Sequence, residues 1–268
     1  MRTTWLVVMV AILGMGTPAA WSDGGLLIEA GTDITFGKFT YKDATVEVTE
    51  EFFNPNLMLE YVFPDRLYGI GVRYAMSENG FTLDYADNKK KLVGNMDAER
   101  TILLPYLRIG PHDGVFFRIG AIFYEYEFSN ATLDETRNGV PTKRIRDGYA
   151  KGELTPGLDA EISMLFGKKV QLGLHIGGAF YPGAKYTWRY RDELKGGALV
   201  TGNAKLDAAT VRGGPELSVA VGKNWRLFAR YAISATSWLG NEDEEHEDYA
   251  GTDIMTSVLV GLRADMGW

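Results

Sequence analysis

The residues of this chain that could do chemistry are mostly carboxylates and arginines. There are three histidines, His112, His175 and His246, and no cysteine. Without thiols the chain forms no disulfide, no iron–sulfur cluster and no thiolate zinc site. On one face of a strand, His-x-Ser would let the imidazole take the serine proton. The residues two positions after the histidines are Gly114, Gly177 and Asp248, so that pattern is absent. Gly-x-Ser-x-Gly, His-Glu-x-x-His and the phosphate-loop motif are absent too. An acidic run, residues 242–248, packs Glu242, Asp243, Glu244, Glu245, Glu247 and Asp248 around His246. It lacks the spacing of a calcium loop, and like-charge runs of this kind are usually solvated.

The remaining charge is spread over the whole chain and needs a scaffold to bring it together. The 268 residues carry 28 basic and 35 acidic side chains, a net charge of −7 with histidine neutral. So acidic a chain is a poor partner for nucleic acid without a concentrated basic stripe. Its start reads as an export signal. Arg2 precedes an apolar stretch from Trp5 to Gly16, Thr17-Pro18 breaks it, and Ala20-Trp21-Ser22 fits small-residue cleavage. Residues 1–22 are therefore expected to be a cleaved signal peptide, leaving 23–268 as one domain. The apolar core is short for a membrane anchor, and no cysteine comes after it to carry lipid. No later segment approaches the roughly 18 consecutive apolar residues of a spanning helix.

Beyond Ser22 the chain alternates with a period of two. At its end Ile254, Thr256, Val258, Val260, Leu262, Ala264, Met266 and Trp268 share one face. Ser257, Gly261, Arg263 and Asp265 lie on the other. Trp225, Leu227, Ala229, Tyr231 and Ile233 alternate in the same way with Arg226, Phe228, Arg230 and Ser234. Short turns fall at 64–66, 111–114, 167–169 and 222–224. Long polar connections fall near 42–50, 78–98, 129–148, 190–207 and 239–252. Short turns at one end and long loops at the other describe an all-β, up-and-down antiparallel transmembrane β-barrel. About ten strands are expected, near 26–41, 51–63, 67–77, 99–110, 115–128, 149–166, 170–189, 208–221, 225–238 and 253–268. Eight or twelve are the alternatives. Pro55, Pro105, Pro156 and Pro215 recur on the lipid-facing parity, each followed two residues later by leucine, and predict local bulges.

The chain thus resembles the small outer-membrane β-barrel proteins of Gram-negative bacteria, most sharply in a last strand that ends on an aromatic residue. The resemblance implies an outer-membrane location, contact with membrane lipid and lipopolysaccharide, and recognition of the C-terminal strand, Trp268 included, by the barrel-assembly machinery. Aromatic girdles are expected from Tyr61, Tyr68, Tyr181, Tyr186, Trp188, Trp225, Trp238 and Trp268. In strand count the chain is similar to the omptin proteases, but their paired acids and Asp–His pair are missing. Asp84 and Asp87 stand one residue too far apart, no Asp-x-His occurs, and Glu244-Glu245-His246 is the nearest substitute.

Parity sends a set of charges into the lumen. The acids are Glu29, Asp33, Glu60, Glu153, Asp159, Glu161, Glu216 and Asp265. The bases are Arg73, Arg100, Arg108, Arg118, Arg212, Arg226, Arg230 and Arg263, and His175 joins them. Arginine offers a planar fork that suits carboxylates. In one reading these side chains interlock as a plug. In the other they line a water-filled pore and set its selectivity. Equal numbers of the two signs favour the plug. In the loops Arg137, Lys143, Arg144, Arg146 and Lys89-Lys90-Lys91 are candidates for lipopolysaccharide phosphates or anionic glycans. The functional expectation is a structural or surface-interaction barrel with no cofactor and no metal, acting through its loops on an unidentified ligand. A narrow channel is the alternative and an outer-membrane hydrolase the third reading.

Overall fold

A computed structural model describes residues 24–266 apart from 42–43, 52–53, 65–66, 87–88, 112–113 and 241–250. For 35–41, 44–51, 153, 204, 206, 238–240 and 251–253 it describes the backbone alone. The expected signal peptide, His112, Asp87, the acidic run with His246, and Trp268 lie outside the described residues.

The chain is built from strands: β1 (Gly25–Tyr41), β2 (Ala44–Glu51), β3 (Asn54–Val62), β4 (Tyr68–Ala86), β5 (Lys90–Ile109), β6 (Gly114–Arg137), β7 (Val140–Phe166), β8 (Val170–Asp192), β9 (Leu199–Ala220), β10 (Trp225–Gly240) and β11 (Gly251–Met266). One 3-10 turn, Glu193–Lys195, sits between β8 and β9. Each strand pairs antiparallel with its sequence neighbour, and β11 closes on β1 from Leu26↔Met266 to Thr40↔Thr252. β2 and β3 lie in line between β1 and β4, so the eleven segments make ten staves of a closed barrel. Closure leaves no open edge, which a wall facing hydrocarbon requires.

The two faces separate as the alternation predicts. Leu103, Leu107 and Ile109 of β5 point out, while Leu104, Tyr106 and Arg108 are buried inside. Val115, Phe117 and Ile119 of β6 point out around buried Phe116 and Arg118. The exposed apolar band continues through Leu158, Leu172, Ile176, Leu217, Leu227 and Leu262. It ends at a polar row in register across five strand pairings: Glu78↔Glu99↔Glu127↔Lys151↔Thr187↔Asn203. Lys151 Nζ there reaches Glu125 at 2.8 Å and Glu127 at 3.5 Å. On β4 and β5 this row stands ten residues from the short turns (68–78 and 99–109), close to the ~9–11 needed to cross a bilayer, and on β7, β8 and β9 it stands farther off (151–166, 170–187 and 203–220).

The staves do not stop at that row. β6 runs 24 residues and β7 runs 27. The connections expected near 42–50, 78–98, 129–148 and 190–207 are therefore largely strand, ending in tight tips such as Asn138-Gly139. Sequence reading ended each strand where outward hydrophobicity ended, whereas ladder hydrogen bonding needs no apolar face. Of the four expected bulges, the one near Pro156 coincides with a register shift and the other three do not form. Pairing passes through Pro55, Pro105 and Pro215 without a register shift. Each of these residues faces outward and forgoes one ladder donor. Beside Pro156 the register shifts between Tyr124 and Tyr126, opposite Gly152 and Thr155, and a further shift that the prolines did not mark lies between Tyr181 and Ala184. Gly183, with φ of 60°, supplies the left-handed conformation that the second shift requires.

Candidate functional site: the charged interior

The short-turn half of the interior holds a continuous ion-pair network. Glu60 on β3 is its first hub. It accepts from Arg108 Nη1 on β5 at 2.7 Å, from Arg118 Nε on β6 at 3.0 Å and from the Tyr106 hydroxyl at 2.9 Å. Tyr106 has room to do so because residue 71 on the neighbouring strand is glycine, where a Cβ would fall on the tyrosine ring. Arg118 continues to Glu161 on β7 at 3.1 Å. Arg212 on β9 clasps Asp159 with two bonds, at 2.6 and 2.8 Å, and reaches Glu161 at 3.5 Å.

Glu216 on β9 is the second hub. It accepts from Arg230 Nη2 on β10 at 2.6 Å and pairs with Arg263 Nη2 on β11 at 2.8 Å. His175 Nε2 on β8 lies 3.0 Å from it. Glu29 on β1 accepts from Arg263 Nε at 2.6 Å and lies 3.5 Å from Arg230 Nη2. Phe116 lies beneath Arg108 and Arg118 at 4.0 and 4.8 Å, and Phe228 beneath Arg230 and Arg263 at 5.8 and 5.3 Å. Flat guanidinium stacked on an aromatic face keeps part of its favourable electrostatics without water.

The network thus joins Glu29, Glu60, Arg108, Arg118, Asp159, Glu161, His175, Arg212, Glu216, Arg230 and Arg263. Other members of the inward set stand apart from it. Asp33 accepts from Asn56 Nδ2 at 2.9 Å, and Arg73 Nε donates to Asn56 Oδ1 at 3.2 Å, so an amide lies between them. Arg226 donates to Ser218 Oγ and to the Lys168 carbonyl. Arg100 lies inside the barrel opposite Tyr126, above the network. Asp265 is half-buried at the short-turn end. The side chain of Glu153 lies outside the described residues.

Above the ions the interior is apolar and aromatic. Met58, Leu104, Ile122, Ala179, Tyr181 and Ala208 form one cluster. The rings of Tyr124, Tyr126, Tyr181 and Tyr186 then succeed one another at centroid spacings of 5.2 to 5.7 Å. Tyr181 and Tyr186 were expected in an outer girdle. Both are buried inside: Tyr181 shares the odd-numbered inward face of His175 and Ala179, and Tyr186 is turned inward because the Tyr181/Ala184 shift moves that face from odd to even residues. Tyr68 and Trp225 are about half exposed on the outside, beside the short turns.

One constellation escaped a motif scan. Ser163 Oγ lies 2.8 Å from His175 Nδ1, whose Nε2 faces Glu216. Ser163 and His175 are direct cross-strand partners twelve residues apart, so no motif read along the chain detects them. Serine, imidazole and carboxylate in that order resemble a nucleophile relay. Two features oppose the use. Ser163 is inaccessible, and its hydroxyl donates to Glu161 Oε1 at 3.0 Å. A carboxylate there puts negative charge where a developing oxyanion needs donors. Among the described residues no group of three or more His, Asp or Glu is placed to hold a metal ion.

At the tip opposite the short turns, basic residues of the β6–β7 hairpin pair with its own acids. Arg137 pairs with Glu135, Arg146 with Asp134 at 3.0 Å, and Arg144 with Asp134 at 3.4 Å. Lys143 lies over the Tyr190 ring. Burial alone would raise the Glu135 carboxyl, but the hydrogen bond from Arg137 holds it below the usual carboxylate range.

No protein-family model matches the sequence, and no curated protein matches it. Solved structures do. The outer membrane protease OmpT from Escherichia coli superposes with a TM-score of 0.54 at 10% identity, over 92% of this chain and 97% of that one. The translocator domain of the autotransporter NalP from Neisseria meningitidis gives 0.49 at 10% identity, over 98% and 94%. At this identity the likeness speaks to fold alone. With its closed ten-stave wall, apolar outer band and polar interior, the chain has the fold of the small outer-membrane β-barrels.

Proposed function

We propose that this protein is a plugged barrel of the Gram-negative outer membrane, and that it acts on the outside through the extended upper part of its wall. The observation that carries the reading is the network from Arg108 to Arg263. It draws side chains from nine of the ten staves, and carboxylates and guanidiniums alternate along it at 2.6 to 3.5 Å. Above it the rings of Tyr181, Tyr124, Tyr126 and Tyr186 fill the β6–β8 side of the same lumen. Above the membrane band the staves continue, and β7 alone amounts to about 90 Å of extended chain at ~3.3 Å per residue. Only about a third of that length is needed to cross the bilayer obliquely. The remainder is a rigid, polar surface for a partner, with its basic side chains already paired to neighbours. The buried, acid-flanked Ser163 argues against hydrolysis at the site that most resembles a relay. Liposome swelling in small neutral sugars tests the reading. No swelling above protein-free vesicles is expected, and swelling like that of a porin would make the protein a channel.

A further inference from the structure

At the short-turn end the interior opens into a small cavity of about 40 Å³. The arginines that line it are in ion pairs with Glu29, Glu60, Glu161 or Glu216, with one exception. Arg226 makes no ion pair among the described residues. Its Nε donates to Ser218 Oγ at 3.2 Å and its Nη1 to the Lys168 carbonyl at 2.9 Å. Its Nη2 is buried and has no hydrogen-bond partner. A buried guanidinium nitrogen left in that state is costly, so an acceptor is strongly favoured there. Ser218 also fixes a second donor. Its hydroxyl donates to Gln171 Oε1 at 3.3 Å, so the donor that Gln171 can offer a ligand is its amide nitrogen. Gln171 is only 5% exposed and lines the same space.

We propose that this cavity binds a single carboxylate group arriving from the periplasmic side, one oxygen on Arg226 Nη2 and the other on the Gln171 amide nitrogen. Two donor groups suit the two oxygens of a monoanion. Glu29 and Asp265 also line the cavity, and their charge disfavours a dianion such as phosphate. Access is from the periplasm because Leu27, Leu165, Gln171, Arg226 and Asp265 in the lining all lie within a few residues of the short-turn end. The site is independent of whether the barrel conducts.

The test uses the full barrel refolded in zwitterionic micelles at neutral pH, with heat-modifiable gel migration showing that each variant is folded. Carbon-13 acetate, and trialanine with a free or an amidated carboxyl end, are titrated and followed by ligand line broadening. Saturable broadening is expected with the free carboxylates. Arg226→Met and Gln171→Leu, at two separate donors, should each weaken it about ten-fold, the loss of one charged or buried hydrogen bond. Binding of acetate assigns a free acid, and binding of trialanine without acetate assigns a chain end. Equal broadening by the amidated peptide, unchanged affinity in both folded variants, tighter binding of phosphate, or no saturation with any carboxylate would overturn the proposal.

Discussion

Glu60 holds two guanidiniums and a phenol where no water can replace it. Glu60→Gln would leave Arg108 and Arg118 buried with their main counter-charge gone. Breaking such a pair from one side costs about 3–5 kcal/mol, which urea unfolding of the refolded barrel would show as a lowered midpoint. At the outer tip, Glu135 titrates below an unfolded glutamate because Arg137 hydrogen-bonds it. A carboxyl held low stabilises the fold above its unfolded value, and that contribution fades as pH falls through the folded value. Proteolysis of the 134–143 tip should therefore speed up as pH drops below about 4. With Arg137→Ala the acceleration should begin at higher pH, and a coincident profile would remove Arg137 as the cause. The charged members of the network were legible one at a time, because strand parity holds wherever no register shift intervenes; the side chain of Glu153, beside such a shift, lies outside the described residues. Their neutral companions Tyr106, Ser163, Asn56 and Gln171 share that parity. They were missed because formal charge alone does not mark them.

The membrane band is a property of the staves, and two exposed positions, one below the polar row and one on it, measure it. Leu158 is 70% exposed within the band, while Thr187 sits on the row itself. Leu158→Arg should cost about 2–4 kcal/mol in lipid, against roughly 0–1 for Thr187→Arg. Equal costs in a vesicle-based unfolding titration would mean that the row does not mark the boundary. The shift between Tyr181 and Ala184 makes a separate prediction. Gly183 has a positive φ, and a Cβ there would meet the Lys205 side chain. Gly183→Val should lose about 1–3 kcal/mol by the same measurement. Pro182-Gly183 could have signalled this shift in the sequence. Four lipid-facing prolines competed for the same explanation, and an outward proline proves compatible with straight pairing. That one shift also explains the misplaced Tyr186, since a single extra residue inverts everything beyond it, whereas Tyr181, before the shift, follows the same parity as His175. Strand ends were the least legible feature, because above the lipid both faces are polar and alternation carries no signal.

For the whole molecule the sequence was most informative where membrane physics is strictest. Closure, antiparallel order and ten staves result from short turns, period-two alternation and the need to satisfy every backbone group in lipid. Sequence does not say which inward charge meets which, because partners such as Glu29 and Arg230 come from opposite ends of the chain. The central claim is that these partners close the lumen. Single-channel recording of the refolded protein in a planar bilayer tests it most directly, with Arg118→Ala and Asp159→Ala beside the unaltered chain. The account predicts a silent unaltered barrel, and conductance only once the charged interior is broken. Steady conductance of the unaltered chain, shifted by those same substitutions, would contradict it and make the network the lining of a pore.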